Sequence, residues 1–122
     1  MTISGMHALI YTNKPDEMRA FFRDVLELPH VDAGGGWLIF ALPTSELALH
    51  PADDSGAHHE LTFTCDDVDA EVARLSERGA TFAGAVEEQR WGRSTQLELP
   101  DGTRLMLYQP RHNMAAAPTS ST

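Results

Sequence analysis

Apolar residues recur along the chain at two spacings, and the switches between them mark the elements. Met6 to Thr12 (MHALIYT) is a short apolar and aromatic run that predicts a strand. Met18, Phe21, Phe22, Val25 and Leu26 then fall at i, i+3, i+4, i+7 and i+8, one face of a helix. Pro15 suits the first turn of that helix, Thr12 or Asn13 its cap, and Asp16 and Glu17 its positive end; Pro29 stops it. Gly34-Gly35-Gly36 reads as a turn, Trp37 to Leu42 as an apolar strand, Pro43-Thr44-Ser45 as a turn and Glu46 to His50 as a further strand, with a fainter strand pattern over Pro29 to Ala33. Pro51 to Ala57 is a polar loop.

The order then starts again. Glu60 to Cys65 (ELTFTC) predicts a strand, and Asp66 or Asp67 caps a helix with Val68, Val72 and Leu75 on its inner face. Gly79 after Arg78 suits the left-handed end of that helix. Thr81 to Val86 reads as a strand, and Arg93 to Leu99 and Arg104 to Gln109 as a hairpin around Pro100-Asp101-Gly102. The whole is strand, helix, three strands, repeated once, a repeat of architecture more than of sequence. Neither half alone could bury both its helix and its sheet face. The expected class is α+β: two paired βαβββ modules forming a curved, cup-like mixed sheet with the helices outside. One domain is expected over 1–111, with module 1 at about 5–51 and module 2 at about 58–110. Residues 112–122, rich in Ala, Pro, Ser and Thr, are expected to be a disordered tail.

Composition narrows the function classes. A chain of 122 residues suits one domain with a modest core. A formal net charge of -9 repels phosphate backbones and anionic lipids, so neither nucleic acid nor membrane is an expected partner. No apolar run reaches the length of a membrane span, no secretion signal is read at the start, and the single cysteine, Cys65, fits a reducing compartment; the expected location is cytoplasmic.

Three stretches carry a family resemblance: MHALIYTNKPDEMRAFFRDVLELP, HELTFTCDDVDAEVARLSERGATF and RWGRSTQLELPDGTRLMLYQP. With the FFRDVLEL segment, the Cys-Asp-Asp-Val-Asp helix start and the Trp-Gly…Pro-Asp-Gly hairpin, the chain resembles the vicinal-oxygen-chelate superfamily of glyoxalases, bleomycin-resistance proteins and ring-cleaving dioxygenases. The resemblance implies paired βαβββ modules, a homodimer and a divalent metal in the cup, held by His, Gln or Glu on the first and last strands of each module. His7 matches the first ligand position, and Glu60, with His59 beside it, stands at the equivalent in the second half. The last-strand Glu, four residues after the Asp-Gly turn, is replaced by Met106. Its first-half counterpart falls at Leu47 or Ala48, with Glu46 and His50 flanking. A thioether is a poor ligand for hard divalent ions, and catalytic sites usually keep three protein ligands. His7 and Glu60 make two, or simply an ordinary polar pair; Glu46, His50, His59 or Glu98 would have to supply the third.

Strand alternation gives the cup lining. Leu61, Phe63, Cys65, Leu105 and Leu107 take the helix side. His7, Tyr11, Glu60, Thr62, Gln96, Glu98, Arg104, Met106 and Tyr108 take the cup side, a mixture suited to a ligand pocket or to packing against a partner subunit. Trp37 is read as core, and Trp91 as either a ligand contact or a loop anchor. His58 is read as a loop end, Cys65 as inert core, and Gly34 to Gly36 as no phosphate loop.

Two functions follow from the resemblance. One is a binder that holds a small molecule in the cup beside a degenerate metal site, with no cofactor. The other is a metal-dependent enzyme (lyase, isomerase, dioxygenase or thiol transferase type) using Fe, Mn, Ni or Zn, with Glu60 or Glu98 as base. The acidic rim suits a cationic ligand, whereas Arg104 argues for an anionic group. A ferredoxin-like regulatory module would need βαββαβ order, with fewer strands per helix.

Overall fold

The computed structural model describes residues 7–42, 44–49, 51–52, 54 and 56–111. They hold helices α1 (Pro15–Asp24) and α2 (Val68–Glu77) and strands β1 (His30–Asp32), β2 (Leu38–Phe40), β3 (Thr62–Thr64), β4 (Glu87–Gln89), β5 (Gly92–Glu98) and β6 (Arg104–Pro110), an α+β fold. The second module forms a four-stranded mixed sheet in the order β3-β6-β5-β4, with β3 parallel to β6 and the other pairs antiparallel. β1 and β2 pair antiparallel with each other.

Both helices feed one core. Met18, Phe22 and Leu26 from the first module are buried with Val68, Leu75, Ala80, Leu97, Leu99, Leu105 and Leu107 from the second. The Phe22 ring meets Phe40 at 5.7 Å and Phe63 at 6.1 Å, which joins α1 to β2 and β3. The apolar helix faces read from the sequence are therefore the faces that are buried. Asp67 caps α2, its carboxylate accepting from the Ala70 N–H at 3.2 Å. At the other end Arg78 crosses to the first module. Its guanidinium donates to the carbonyls of Asp24 at 2.6 Å and Val25 at 3.1 Å, and pairs with Glu27 at 3.0 Å. Those are carbonyls that the end of α1 leaves without helical partners.

Several sequence expectations are corrected. The cap of α1 is Lys14, not Thr12 or Asn13, because Pro15 begins the helix; the Thr12 hydroxyl instead accepts from the Lys14 N–H at 3.2 Å. Among the described residues, segments 7–12 and 44–49 carry no strand pairing, although their alternation reads as strand. Periodicity specifies faces, whereas a strand also requires a neighbouring backbone. Thr81 to Val86 is not a strand: Phe82 makes an isolated bridge to Leu97, and Gly84, at φ 88°, breaks the extended run before β4 begins at Glu87. Trp37 is not core. It is 61% exposed, and the Arg19 guanidinium lies 4.5 Å from its ring. The expected tail, 112–122, lies outside the described residues.

Candidate functional site

The register of the sheet sorts the site residues into rows. Residues directly opposite each other share a face. Leu105 and Leu107 are buried toward the helices, so Arg104, Met106 and Tyr108 point to the other side. Across that side run Glu98–Arg104, then Gln96–Met106–Thr62, then Glu87–Ser94–Tyr108–Thr64. Six of the residues expected in the cup from the sequence, Thr62, Gln96, Glu98, Arg104, Met106 and Tyr108, are thus brought together. Met106 stands at the centre, half-buried between Thr62 and Gln96.

Trp91 joins them. Its ring meets Tyr108 edge to face, with centroids 5.4 Å apart and planes at 78°, and it remains 44% exposed. Gly92 beside it, at φ 155°, has no room for a side chain, since a Cβ would press into the Gln109 carbonyl. That close approach of β5 to β6 holds Trp91 at the edge of the face.

The face is acidic. Glu98 pairs with Arg104 at 3.7 Å and accepts from the Thr81 hydroxyl at 3.2 Å, so this candidate base is already engaged. Glu87 accepts from the Gln89 amide at 3.1 Å. Burial pushes the Tyr108 phenol up, and the nearby charge of Glu46 adds to it. Glu46, considered from the sequence as a metal ligand, is the charge that adds to this rise.

The remaining sequence candidates are exposed, make other contacts or lie outside the described residues. Glu60 is exposed and pairs with His58 at 3.2 Å rather than with His7. His58 also bonds the Gly56 carbonyl at 2.8 Å, and these two contacts, the carbonyl first, raise its pKa. His7 and His59 are exposed, and His50 lies outside the described residues. Tyr11, 89% exposed, lines an open cleft of about 510 Å³ with Thr12, Asn13, Asp101 and Thr103. Among the described residues no three His, Cys, Asp or Glu side chains are grouped to hold a metal ion, so the described donors do not fit one. The Cys65 thiol is pushed up to about 11, mainly by burial and then by Glu71, which leaves it unreactive.

Sequence reasoning missed Glu87 and Ser94, whereas alternation along Glu60, Thr62 and Thr64 put Thr64 on this side. Alternation from Gln96 and Glu98 would have found Ser94. Glu87 carried no such signal, because its Glu-Glu-Gln strand is too polar to read as one.

Among the described residues no helix is long and apolar enough to cross a membrane. No curated protein matches the sequence. Solved structures do. TnmS3, described as an antibiotic binding protein from Streptomyces sp. CB03234, is 28% identical, with a TM-score of 0.64 over 90% of this chain and 98% of its own. A glyoxalase/bleomycin resistance protein/dioxygenase superfamily member from Sphaerobacter thermophilus is 22% identical, with a TM-score of 0.60 over 88% and 98%. A lactoylglutathione lyase from Agrobacterium tumefaciens is 20% identical, with a TM-score of 0.55 over 88% and 95%. These last two likenesses concern the fold alone. The family's sequence profile matches residues 6–107, and the chain belongs to the Glyoxalase/Bleomycin resistance protein/Dioxygenase superfamily.

Proposed function

We propose that this protein binds a small molecule on the face centred on Met106, without a metal. The observation that carries the reading is Met106 itself. It stands between Thr62 and Gln96, at the position where the family pattern has a carboxylate ligand. A thioether there supplies packing surface in place of a hard donor. The likeness to TnmS3, described as an antibiotic binding protein, supports the same reading. The half-buried mixture of Met106, Tyr108, Gln96 and Trp91 gives apolar area with a few polar groups, as ligand pockets do.

Further parts of the reading are a homodimer, in which a second copy covers the exposed apolar residues of segments 7–12 and 44–49, and a cytoplasmic location, which suits the single Cys65. Nucleic acid is no partner for a chain of net charge -9.

Calorimetric titration with Mn²⁺, Fe²⁺ and Zn²⁺ tests the metal-free reading. Wild type is expected to bind none of them tightly, while Met106→Glu gains measurable affinity by restoring the carboxylate of the family pattern. Tight wild-type binding, lost in both His7→Ala and Glu60→Ala, would overturn the reading in favour of a metal-dependent enzyme.

A further inference from the structure

A recess that the proposed function does not use lies at the turn end of the β5–β6 hairpin. It is the open cleft of about 510 Å³ where Tyr11, Thr12 and Asn13 of the first module meet Asp101 and Thr103 of the turn. Trp91 belongs to the opposite end of the hairpin, since Gly92 pairs with Pro110 there and Glu98 with Arg104 here. The hydrogen bonds of the cleft all run toward one group. The Asp101 carboxylate accepts from the Thr12 hydroxyl at 2.5 Å, the Thr103 hydroxyl at 2.6 Å and the Thr103 N–H at 3.0 Å. Both hydroxyl hydrogens are thereby committed, and the lone pairs left on these oxygens are fixed acceptors open to a donor. The Asn13 amide, with no hydrogen-bond partner among the described residues, adds N–H donors and a further acceptor. Tyr11, 89% exposed, supplies a flat aromatic face beside them.

A ligand hydroxyl answers both kinds of group, donating to the carboxylate and accepting from the amide. An ammonium only donates and would leave the Asn13 N–H groups unpaired, and the exposed Lys14 next to Asn13 also weighs against a cation. A sugar ring carries neighbouring hydroxyls on its rim and a patch of C–H bonds on its flat side, and such C–H bonds seat on the negative face of an aromatic ring. We propose that this cleft binds a saccharide, its C–H side on the Tyr11 ring and two neighbouring hydroxyls shared between Asp101 and Asn13. The same bonds that orient the Asp101 carboxyl hold its pKa down to about 2, so the acceptor stays ionised at ordinary pH. The site is separate from the Met106 face and does not depend on binding there.

Saturation-transfer NMR on the full chain tests it, with methyl β-glucopyranoside, methyl β-galactopyranoside, methyl α-mannopyranoside and cellobiose as probes. At least one is expected to bind with a Kd of about 1 mM, with saturation strongest on the C–H protons of one side of the ring. Tyr11→Ala is expected to weaken it about tenfold and Asn13→Ala severalfold. Both side chains are exposed, so both variants should keep the wild-type melting temperature, which is measured alongside. Trp91→Leu, at the other end of the hairpin, should leave the affinity unchanged. The titrations are repeated on the double variant Leu47→Glu, Leu49→Glu, so that a second copy seated on Tyr11 does not mask the cleft. No saccharide bound by either form at about 20 mM, binding indifferent to Tyr11→Ala, binding lost in Trp91→Leu, or tighter binding of benzylammonium than of every saccharide each overturns the proposal.

Discussion

Thr95 shows how much one atom can cost. Its side chain lies on the helix side of β5, opposite Leu107, and is 4% exposed. Its hydroxyl oxygen is buried, with no hydrogen-bond partner among the described residues. A hydroxyl in that state forfeits its hydration for nothing, a penalty of about 1–3 kcal/mol. Valine has nearly the same shape and no such atom. Thr95→Val is therefore expected to stabilise the fold by about 1 kcal/mol and to raise the melting temperature by about 3–5 °C in thermal denaturation. An unchanged or lower melting temperature would mean that the hydroxyl is satisfied. The Ser-Thr-Gln-Leu-Glu run announces which residues alternate, but not that this threonine lies among leucines without a partner. That depends on the depth of the α2 packing. Trp37 shows the opposite error: its size reads as core, yet a turn places it outside, against Arg19.

At the scale of elements, Asp101 ties the β5–β6 hairpin to the first module. Its carboxylate accepts from the Thr103 hydroxyl at 2.6 Å, the Thr12 hydroxyl at 2.5 Å and the Thr103 N–H at 3.0 Å. Those bonds, the Thr103 hydroxyl first and Thr12 next, hold its pKa down to about 2 from an ordinary 3.8. A depressed carboxylate adds stability that is fully present above the unfolded value and is lost as pH falls through the folded one. Denaturant midpoints followed downward in pH should thus fall between about 4 and about 2 in wild type. Asp101→Asn should lack that component, and an identical profile in the variant would refute the assignment. The Pro-Asp-Gly turn was legible in the sequence, as were both helices, because local chemistry and the 3.6-residue period define them. The link from Asp101 to Thr12 was not, since it joins positions 89 apart that only the packed modules bring together. The cup residues of β5 and β6 were legible for the same local reason, two adjacent strands joined by a readable turn. His7, Tyr11 and Glu60 were not, because their segments' surroundings depend on which backbone lies alongside.

For the whole molecule, the question is what covers the first module. Tyr11 is 89% exposed, Leu47 77% and Leu49 92%, on segments whose alternation reads as strand but which pair with no strand among the described residues. Among the described residues β3 is also an edge, paired with β6 on one side only. Large apolar side chains beside unpaired backbone favour association, since they offer both buried area and open hydrogen-bonding groups. A closed, two-fold pairing of identical chains satisfies both and leaves no edge for a further copy. Light scattering coupled to size exclusion should therefore report twice the chain mass at about 10 µM, falling to the monomer mass on dilution or in the double variant Leu47→Glu, Leu49→Glu. These two side chains are outside the core of the single chain, so the variant should keep its helical circular dichroism while losing association. A monomeric wild type at that concentration would refute the dimer, and a variant that stays dimeric would move the interface away from segment 44–49.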